Sequence, residues 1–458
     1  MFLNSFPEKY VGKSFEIDCV DIEVHGFEDY QPPIFKGPGV IRGEKTGKLF
    51  YKIYNQVKYN KDIFTYLRAI QQGNDPKDTH IRLFATAYDG TKWNGSWSIP
   101  LVDPLQSSSF FLVKGELEQI SARIVKHKGD EIKNCTELFF SDNINLPYSG
   151  TVVEKHFHEE ELILTKWTSD HHNVMFEGSK ISFQKCPDNF YNSVRAQHSE
   201  KFEPPYVENW IAETLILMTA RVLKPRMIIR HFNDDALVFI RAVSQNTRSG
   251  LRPPFCDGPE YMDHYWNLFC SYLSTCKNEG NYEMLKLTQG FCELCLASNG
   301  TLQGTLISLS VYIEFCINQI FSTVENTEQT KKIEEFISYA RAWKEDMDIH
   351  NRAMGLLSTL HKPAIRKQLN ILIEQGVISP KHKEIWNSTR PSLAHGKLID
   401  FEKEEEFWHY KNYMISMLYR LIFRIIGYKG LVLDYDGEKF KYSSFEWNGI
   451  NSEVKAEE

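Results

Sequence analysis

Hydrophobic and polar residues alternate with a period of two along much of the first 186 residues. The clearest case is Phe15–Val24, and Lys48–Tyr54, Ile81–Tyr88 and Lys180–Lys185 repeat the pattern. Such alternation is typical of strands with one buried and one exposed face. Turn-forming sequences separate these segments: Gly37-Pro38-Gly39, Asp89-Gly90 and Asn94-Gly95. The pattern therefore predicts many short antiparallel strands, arranged as a sandwich or an open barrel.

The pattern changes close to Pro204-Pro205. Val207–Leu223 has apolar residues at helical spacing, whereas Ile228–Val243 is compatible with either a strand or a helix. Asn246–Pro259 is rich in glycine and proline, which is typical of a linker.

Beyond Pro259 the apolar residues recur at helical spacing, so this part is predicted to be a bundle of helices. The most apolar helix is predicted over Leu302–Phe321, with Val311 thickening its buried face. Glycine marks three predicted helix ends, at Gly300, Gly376 and Gly427, and Ser379-Pro380 is predicted to be the N-cap and first residue of a helix. The other predicted helices are Tyr261–Lys277, Tyr282–Leu296, Glu328–Leu360 with a break near Asp348, Ala364–Glu374, Ser379–Asn387 and Glu402–Ile426, and Leu431–Trp447 is predicted to be a hairpin that turns at Asp436-Gly437.

These elements predict an α+β protein, in which an N-terminal antiparallel β-sandwich-like region precedes a C-terminal all-α bundle. A chain of 458 residues is long enough for two or three domains. The expected limits are a β-rich domain over 1–200, a connecting helix and linker over 201–259, a helical domain over 260–430 and a terminal hairpin and tail over 431–458.

Composition narrows the class of protein. The hydrophobic fraction of 42% and charged fraction of 25% are those of an ordinary globular protein. A net charge of −7 argues against non-specific coating of nucleic acid, although a local basic site remains compatible with it. We expect no membrane span and no signal peptide. Nine scattered cysteines suit a reducing compartment, so a cytoplasmic location is expected.

Four of the cysteines form a candidate zinc site, namely Cys270, Cys276, Cys292 and Cys295. A Cys-x-x-Cys pair is a common zinc ligand pair. All four lie in apolar helical sequence, however, and buried thiols are ordinary core residues. A structural role is favoured, and no metal or other cofactor is predicted.

The sequence Arg390-Pro391-Ser392-Leu393-Ala394-His395-Gly396 carries the most specific candidate chemistry. Arginine keeps its charge and grips phosphate through a planar fork of donors. Histidine accepts or donates a proton near neutral pH. Together they supply a phosphate clamp and a proton-transfer group for cleaving RNA through its 2′-hydroxyl. Pro391 fits the first turn of a helix, so a new turn is expected to open there with Thr389 or Arg390 as its cap.

This motif resembles the R-x4-H signature of HEPN domains, in the form found in the ApeA-like group of anti-phage proteins. The resemblance covers Arg390, Leu393, Ala394, His395 and Gly396, whereas Pro391 stands where HEPN nucleases often have a polar residue. It implies a HEPN-type bundle, and a metal-independent endoribonuclease that acts in abortive infection. It also implies a homodimer or higher even oligomer with a composite site, because an isologous interface brings both motifs together.

Glu314 is the candidate acidic partner of the motif. Gln303, Ser310, Glu314 and Asn318 form a polar stripe along the predicted apolar helix, and polar groups in such a place need partners. HEPN domains similarly carry a polar or acidic residue on an earlier helix, so Glu314 would pair with Arg390. The alternative is that Glu314 pairs with Arg420 or Arg424 inside the bundle.

Three further residues are predicted to contact RNA, namely Ser392, Lys397 and Asn318. The β-rich half would then recognise the trigger that activates the protein. The resemblance implies that this trigger is a phage-derived molecule. The alternative function is a non-catalytic module that binds RNA or protein and uses its HEPN-like helices to dimerise.

Overall fold

The structure is a computed structural model that describes most of the chain. The described residues are 6–26, 33–55, 82–96, 100–102, 111–126, 132–141, 144–153, 166–186, 191–243, 249–255, 259–280, 282–322, 327–343, 346–357, 365–394, 404–435 and 440–448. Two compact units make up the fold. The first takes in the described residues up to Leu215, with those of Leu223–Thr247 and Asp257–Glu260, and the second takes in Ile216–Val222, Arg248–Cys256 and the described residues from Tyr261 onward. None of the described helices is both long and apolar enough to span a bilayer.

The first unit is an antiparallel β structure, as the alternating pattern predicts. Its strands are β1 (Phe15–His25), β2 (Phe35–Gly43), β3 (Leu49–Asn55), β4 (Arg82–Ala87), β5 (Lys92–Ser96), β6 (Pro100–Val102), β7 (Phe111–Leu117), β8 (Gln119–Val125), β9 (Cys135–Phe140), β10 (Ser149–Val153), β11 (Lys166–Phe176), β12 (Ser179–Cys186), β13 (Tyr191–Gln197), β14 (Met227–His231) and β15 (Asp235–Arg241). Within the described residues they form one sheet in the order β10-β11-β12-β13-β9-β14-β15-β8-β5-β4-β1-β2-β3-β7-β6. Among the described residues two helices accompany them, α1 (Phe6–Tyr10) and α2 (Val207–Thr219).

Part of this sheet curls into a barrel-like arrangement. Strands β7 and β8 are consecutive in the chain and separated only by Glu118, yet five other strands lie between them in the sheet. Neighbouring strands are about 4.8 Å apart, so a flat sheet could not bring β7 and β8 into this continuity. The backbone N–H of Val243, just after β15, also donates to the carbonyl of Gly47, between β2 and β3, at 3.0 Å. The core of the unit therefore lies inside a curved sheet.

The burial of β1 shows how its sequence dictates this placement. Phe15, Ile17 and Cys19 are buried, and the buried positions then change phase to Ile22 and Val24. The register against β2 shifts between Cys19 and Ile22, as it does in a β-bulge. A bulge adds one residue on one strand and so restores the apolar side chains to the core face.

The sheet continues beyond residue 200, where the sequence predicts the limit of the β-rich domain. The ambiguous segment Ile228–Val243 forms most of β14 and β15, which pair with β9 and β8 respectively. Strand β9 is buried along its whole length. Helix α2 approaches the sheet at β14, where Glu208 pairs with Arg230. The segment between residues 201 and 259 thus contributes to the sheet itself, and Val207–Thr219 is the helix predicted there.

The second unit is helical, followed by a short hairpin, as predicted. After a single 3-10 turn at Pro259–Tyr261, its helices are α3 (Met262–Glu279), α4 (Lys286–Ala297), α5 (Leu302–Ile320), α6 (Thr327–Ala342), α7 (Met347–Leu357), α8 (Ile365–Glu374), α9 (Pro380–Ala394) and α10 (Glu404–Ile425), and its strands are β16 (Gly430–Asp434) and β17 (Lys441–Phe445). The hairpin turn predicted at Asp436-Gly437 lies outside the described residues.

The long helix expected over Glu328–Leu360 is interrupted earlier than Asp348. The Asp346 carboxylate accepts hydrogen bonds from the backbone N–H groups of Asp348 at 2.9 Å and Ile349 at 3.0 Å. Asp346 therefore caps α7, which begins at Met347. The N-terminal capping residue thus fixes the break.

Helix α5 lies at the centre of the helical unit and packs against α4, α8, α9 and α10. Leu306, Leu309, Ile313 and Ile317 are fully buried, so the predicted apolar face is correct. The expectation that Val311 thickens this face is wrong, because its side chain is 63% exposed. The exposed strip of α5 is consequently wider than its sequence suggests.

Candidate functional site

Helices α5 and α9 bring Glu314 and Arg390 together. Nη2 of Arg390 donates a hydrogen bond to Oε2 of Glu314. The two side chains are 40% and 28% exposed, so the pair lies at the border between the bundle interior and solvent. Glu314 occupies the edge of α5 next to the buried Ile313 and Ile317, which places its carboxylate beside α9 without burying it fully.

Trp386 supports the same guanidinium from another side. Its ring centroid lies 5.4 Å from the Arg390 guanidinium carbon, within the range of a cation–π contact. Trp386 is only 4% exposed and precedes Arg390 by one helical turn. The carboxylate and the ring together restrict the position of the guanidinium. Within the described part of the chain Glu314 is its one hydrogen-bond acceptor, so further donors of the fork remain available for a ligand.

The alternative partners of Glu314 are engaged elsewhere. Nη2 of Arg420 donates to both carboxylate oxygens of Asp434, at 2.7 and 2.8 Å. Arg424 stacks over Trp447, with its guanidinium carbon 3.7 Å from the ring centroid. The pairing of Glu314 with either of these arginines is therefore wrong, and the pairing with Arg390 is the one observed.

Pro391 does not open a new turn, contrary to expectation. Helix α9 runs without interruption from Pro380 to Ala394 with Pro391 inside it. Proline has no N–H to donate to the carbonyl of Asn387, which costs helix stability. The helix continues because Trp386 and Thr389 are buried on its inner side, and this packing overrides the local preference. Thr389 is thus a buried helix residue and not a cap.

The inner side of α9 also contains polar atoms that the sequence does not reveal. Thr389 is 1% exposed, and neither its Oγ1 nor Nε1 of Trp386 has a hydrogen-bond partner among the described residues. Unpaired buried polar groups cost free energy and recur at functional sites. Both atoms belong to residues within four positions of Arg390, so this loss of stability falls on the part of α9 that carries the motif.

The predicted polar stripe on α5 is only partly a ligand surface. Ser310 is 3% exposed, and its hydroxyl donates to the carbonyl of Leu306 within the same helix at 2.8 Å. Ser310 is therefore satisfied internally. Asn318 is exposed and lies one turn beyond Glu314, on the same side of the helix. Glu314 and Asn318 are the part of the stripe that a ligand beside Arg390 can reach.

The remaining predicted residues follow Arg390 in the chain. The backbone of Ser392 belongs to α9, and its side chain lies outside the described residues. His395 and Lys397 also lie outside them. Consecutive Cα atoms are about 3.8 Å apart, so His395 directly follows the last described turn of the helix that carries Arg390.

His382, which sequence reasoning overlooked, lies in the first turn of the same helix. Its Nδ1 accepts a hydrogen bond from the backbone N–H of Ser379 at 3.1 Å and lies 3.0 Å from the Ser379 hydroxyl. Burial, and then the charge of Arg420, lower the pKa of His382 to about 4. A neutral imidazole therefore caps α9. The signal in the sequence is Ser379-x-x-His382, which has the spacing of a capping box.

The four candidate zinc ligands lie on α3 and α4. Cys276 and Cys295 are buried, and burial raises the pKa of Cys270 to about 11 and that of Cys295 to about 12. Burial thus disfavours the thiolate form of Cys270 and Cys295, as is usual for cysteines in a protein core. The described residues contain no group of three or more His, Cys, Asp or Glu side chains arranged to hold a metal.

A buried charged cluster lies in the first unit, and no sequence motif points to it. Glu137 on β9 accepts hydrogen bonds from Arg195 Nε at 2.8 Å, and its other oxygen lies 2.8 Å from Nε2 of His231. Burial alone would raise the pKa of Glu137, but the His231 hydrogen bond and the Arg195 charge outweigh it and lower the pKa. Each ionised group faces a partner across neighbouring strands, which is the arrangement of a structural ion network.

Comparison of the chain with protein-family models, with curated proteins and with solved structures gave no match. The candidate site therefore stands on the motif and on the geometry of α5 and α9.

Proposed function

We propose that this protein is a metal-independent endoribonuclease of the HEPN type, which acts in anti-phage defence by abortive infection. Arg390 is the phosphate clamp, His395 is the proton-transfer group and Glu314 positions the clamp. Ser392, Lys397 and Asn318 contact the RNA strand. The β-rich unit serves as the part that receives the trigger.

The observation that carries the proposal is the contact between Glu314 and Arg390. These residues are 76 positions apart, and the motif resemblance requires an acidic or polar group at this place. A guanidinium fixed between a carboxylate and an indole keeps donors free in a defined direction. Such preorganised donors stabilise the charge that develops on a phosphate in the transition state.

The reaction follows from the groups present. The RNA 2′-oxygen attacks the adjacent phosphorus while a neutral imidazole takes its proton. The bond from phosphorus to the 5′-oxygen breaks, and an imidazolium supplies the proton to that leaving oxygen. The products are a 2′,3′-cyclic phosphate and a 5′-hydroxyl. One imidazole cannot act on both sides at once, so two copies of the motif across a two-fold axis supply the base and the acid.

The decisive experiment compares the wild type with His395→Ala in a growth assay, with sequencing of new cellular RNA ends. His409→Ala is the matched control, because His409 is an exposed histidine on α10. The wild type and the control should arrest growth and produce new ends, and His395→Ala should do neither. Removing a general acid or base typically costs about 10²–10⁴ in rate. Arrest that survives His395→Ala would refute the site.

The alternative, a non-catalytic RNA-binding module with HEPN-like helices, is favoured by one observation. Pro391 replaces the polar residue that HEPN nucleases often carry next to the arginine. Purified protein that binds RNA through Arg390 without releasing 2′,3′-cyclic phosphate ends would support this second function.

A further inference from the structure

The outer face of the barrel-like sheet in the first unit carries an open pocket, whereas the residues proposed for cleavage belong to the second unit. The pocket measures about 380 Å³. It lies on β2, β3 and β7 with a contribution from β1, and its lining residues include Arg42, Phe50, Lys52, Tyr54 and Lys114. The alternate residues of β3, such as Tyr51 and Ile53, face the core, so this set belongs to the solvent side.

Two lysines face each other in this pocket. Lys52 on β3 is directly opposite Lys114 on β7. Side chains at such positions are about 4.5–5.5 Å apart at Cβ, and like charges there destabilise the sheet. Among the described residues neither lysine has a carboxylate within ion-pair distance. A bound anion would remove this repulsion.

Two pairs of neighbouring charges on the same face compensate each other. Arg42 lies 3.8 Å from Glu16, and Lys48 lies 3.8 Å from Glu116. The other acidic lining residue, Glu44, accepts a hydrogen bond from Thr46 at 3.0 Å, which does not cancel its charge. The lining therefore carries three cations and two carboxylates, and among the described residues the cations without an ion-pair partner are Lys52 and Lys114.

An aromatic side chain stands beside this charge. Tyr54 is 52% exposed, and Nζ of Lys52 lies 5.0 Å from its ring centroid. Exposed aromatic rings next to cations on the face of a small barrel are the arrangement that binds single-stranded nucleic acid, since the ring stacks on a base and the cations contact phosphate. An acidic peptide would use the cations but has no need of the ring.

We propose that this pocket binds a nucleotide, with its base stacked on Tyr54 and its phosphate between Lys52 and Lys114. The volume is at the lower end of the range for small-molecule sites, about 300–1,000 Å³, and suits one nucleotide unit. The unit can come from a free mononucleotide or from a strand of RNA, and both present the same base and phosphate. This site does not depend on the cleavage chemistry proposed for Arg390 and His395.

The test measures binding to the full-length protein carrying Arg390→Ala and His395→Ala, which removes the proposed phosphate clamp and the proposed proton-transfer group. The probes are a labelled short oligouridylate and a labelled adenosine monophosphate, followed by fluorescence anisotropy. Binding of the mononucleotide would identify a free nucleotide as the source, and binding of the oligonucleotide alone would identify RNA. A probe of oligo-glutamate tests for an acidic peptide, and its binding in place of both nucleotide probes would overturn the proposal.

Three variants in this background locate the site. Tyr54→Ala should weaken binding about 5- to 100-fold, whereas Tyr54→Phe should retain it, because stacking needs only the ring. For the oligouridylate, Lys52→Ala with Lys114→Ala should lower the slope of log K against log salt by about 0.7, since one neutralised phosphate contributes about that much. Lys48→Ala is the control, as Lys48 is exposed on the same face but paired.

Several outcomes would overturn the inference. They are an absence of binding by either nucleotide probe, unchanged binding in Tyr54→Ala and in the double lysine variant, or an equal loss in Lys48→Ala. Loss of growth arrest in the growth assay bears on the proposed nuclease only. The binding assay bears on the pocket only, because it uses protein that lacks Arg390 and His395. The two proposals can therefore fail separately.

Discussion

Replacement of Glu314 by alanine tests whether that carboxylate acts through Arg390. The ion pair is about a third exposed, and such pairs contribute about 0.2–1 kcal/mol to stability. For a unit of this size the melting temperature should therefore fall by no more than about 2–4 °C. The guanidinium would keep only its contact with Trp386, so its position over a substrate phosphate would no longer be fixed.

The expected effect on catalysis is larger than the effect on stability. Complete removal of a transition-state donor costs about 10²–10³ in kcat. Glu314→Ala leaves the donor in place but poorly directed, so we expect a loss of about 10- to 100-fold in kcat with a small change in KM. Glu314→Gln keeps an acceptor oxygen without the charge and should fall between alanine and wild type.

A double-mutant cycle with Arg390→Ala separates positioning from an independent role. Cleavage of a defined RNA is measured for the wild type, both single variants and the double variant. If Glu314 acts only through Arg390, the double variant should be no slower than Arg390→Ala alone. Additive losses would refute the reasoning, as would full activity in Glu314→Ala.

Four further outcomes are expected. Cleavage should continue in excess EDTA, and a loss of activity reversed by a divalent cation would contradict the proposed chemistry. Size-exclusion chromatography with light scattering should show a dimer or higher even oligomer, and a monomer at micromolar concentration would contradict a composite site. Pro391→Ala should raise the free energy of unfolding by up to about 3 kcal/mol, and with it the melting temperature, because it restores an N–H donor to the carbonyl of Asn387. As the pH is lowered from 6.5 to about 4, the free energy of unfolding should fall, and it should fall less in His382→Asn. The pKa of His382 is lowered in the native state, so in this pH range the unfolded chain binds a proton at His382 and the native state does not.

Local patterns of apolar and polar residues predicted most of the helices and strands, but they could not predict which strands pair. Alternation along β1 identified a strand, and its change of phase at Cys19 was the visible trace of the bulge. Which strands pair is decided by contacts between distant residues. Strand β9 lies between β13 and β14 in the sheet, although Cys135 on β9 and its partner Gln197 on β13 are 62 positions apart in the chain and no local pattern predicts this pairing. The ambiguity of Ile228–Val243 has a different cause. Strand β14 is buried at four of its five positions, and β15 has apolar residues at half-buried as well as buried positions, so the apolar and polar residues do not alternate.

The candidate site was predicted in part because a charged residue on an apolar helix needs a partner. Glu314 stood out for that reason, but the sequence left Arg390, Arg420 and Arg424 open as its partner, and the structure shows the contact with Arg390. Trp386 was not distinguished from other aromatic core residues, since its role depends on the continuation of α9. The sequence favours a break at Pro391, and only the burial of the inner side of α9 opposes it.

The continuity of α9 gives the placement of Arg390 a physical basis. Residues four apart lie on the same face of a helix, so Trp386 and Arg390 align because no break intervenes between them. A break at Arg390 would have released it from the ring of Trp386 and from Glu314. The unbroken helix instead holds the guanidinium beside both partners. A fixed guanidinium is what phosphoryl transfer requires of a group that clamps the phosphate.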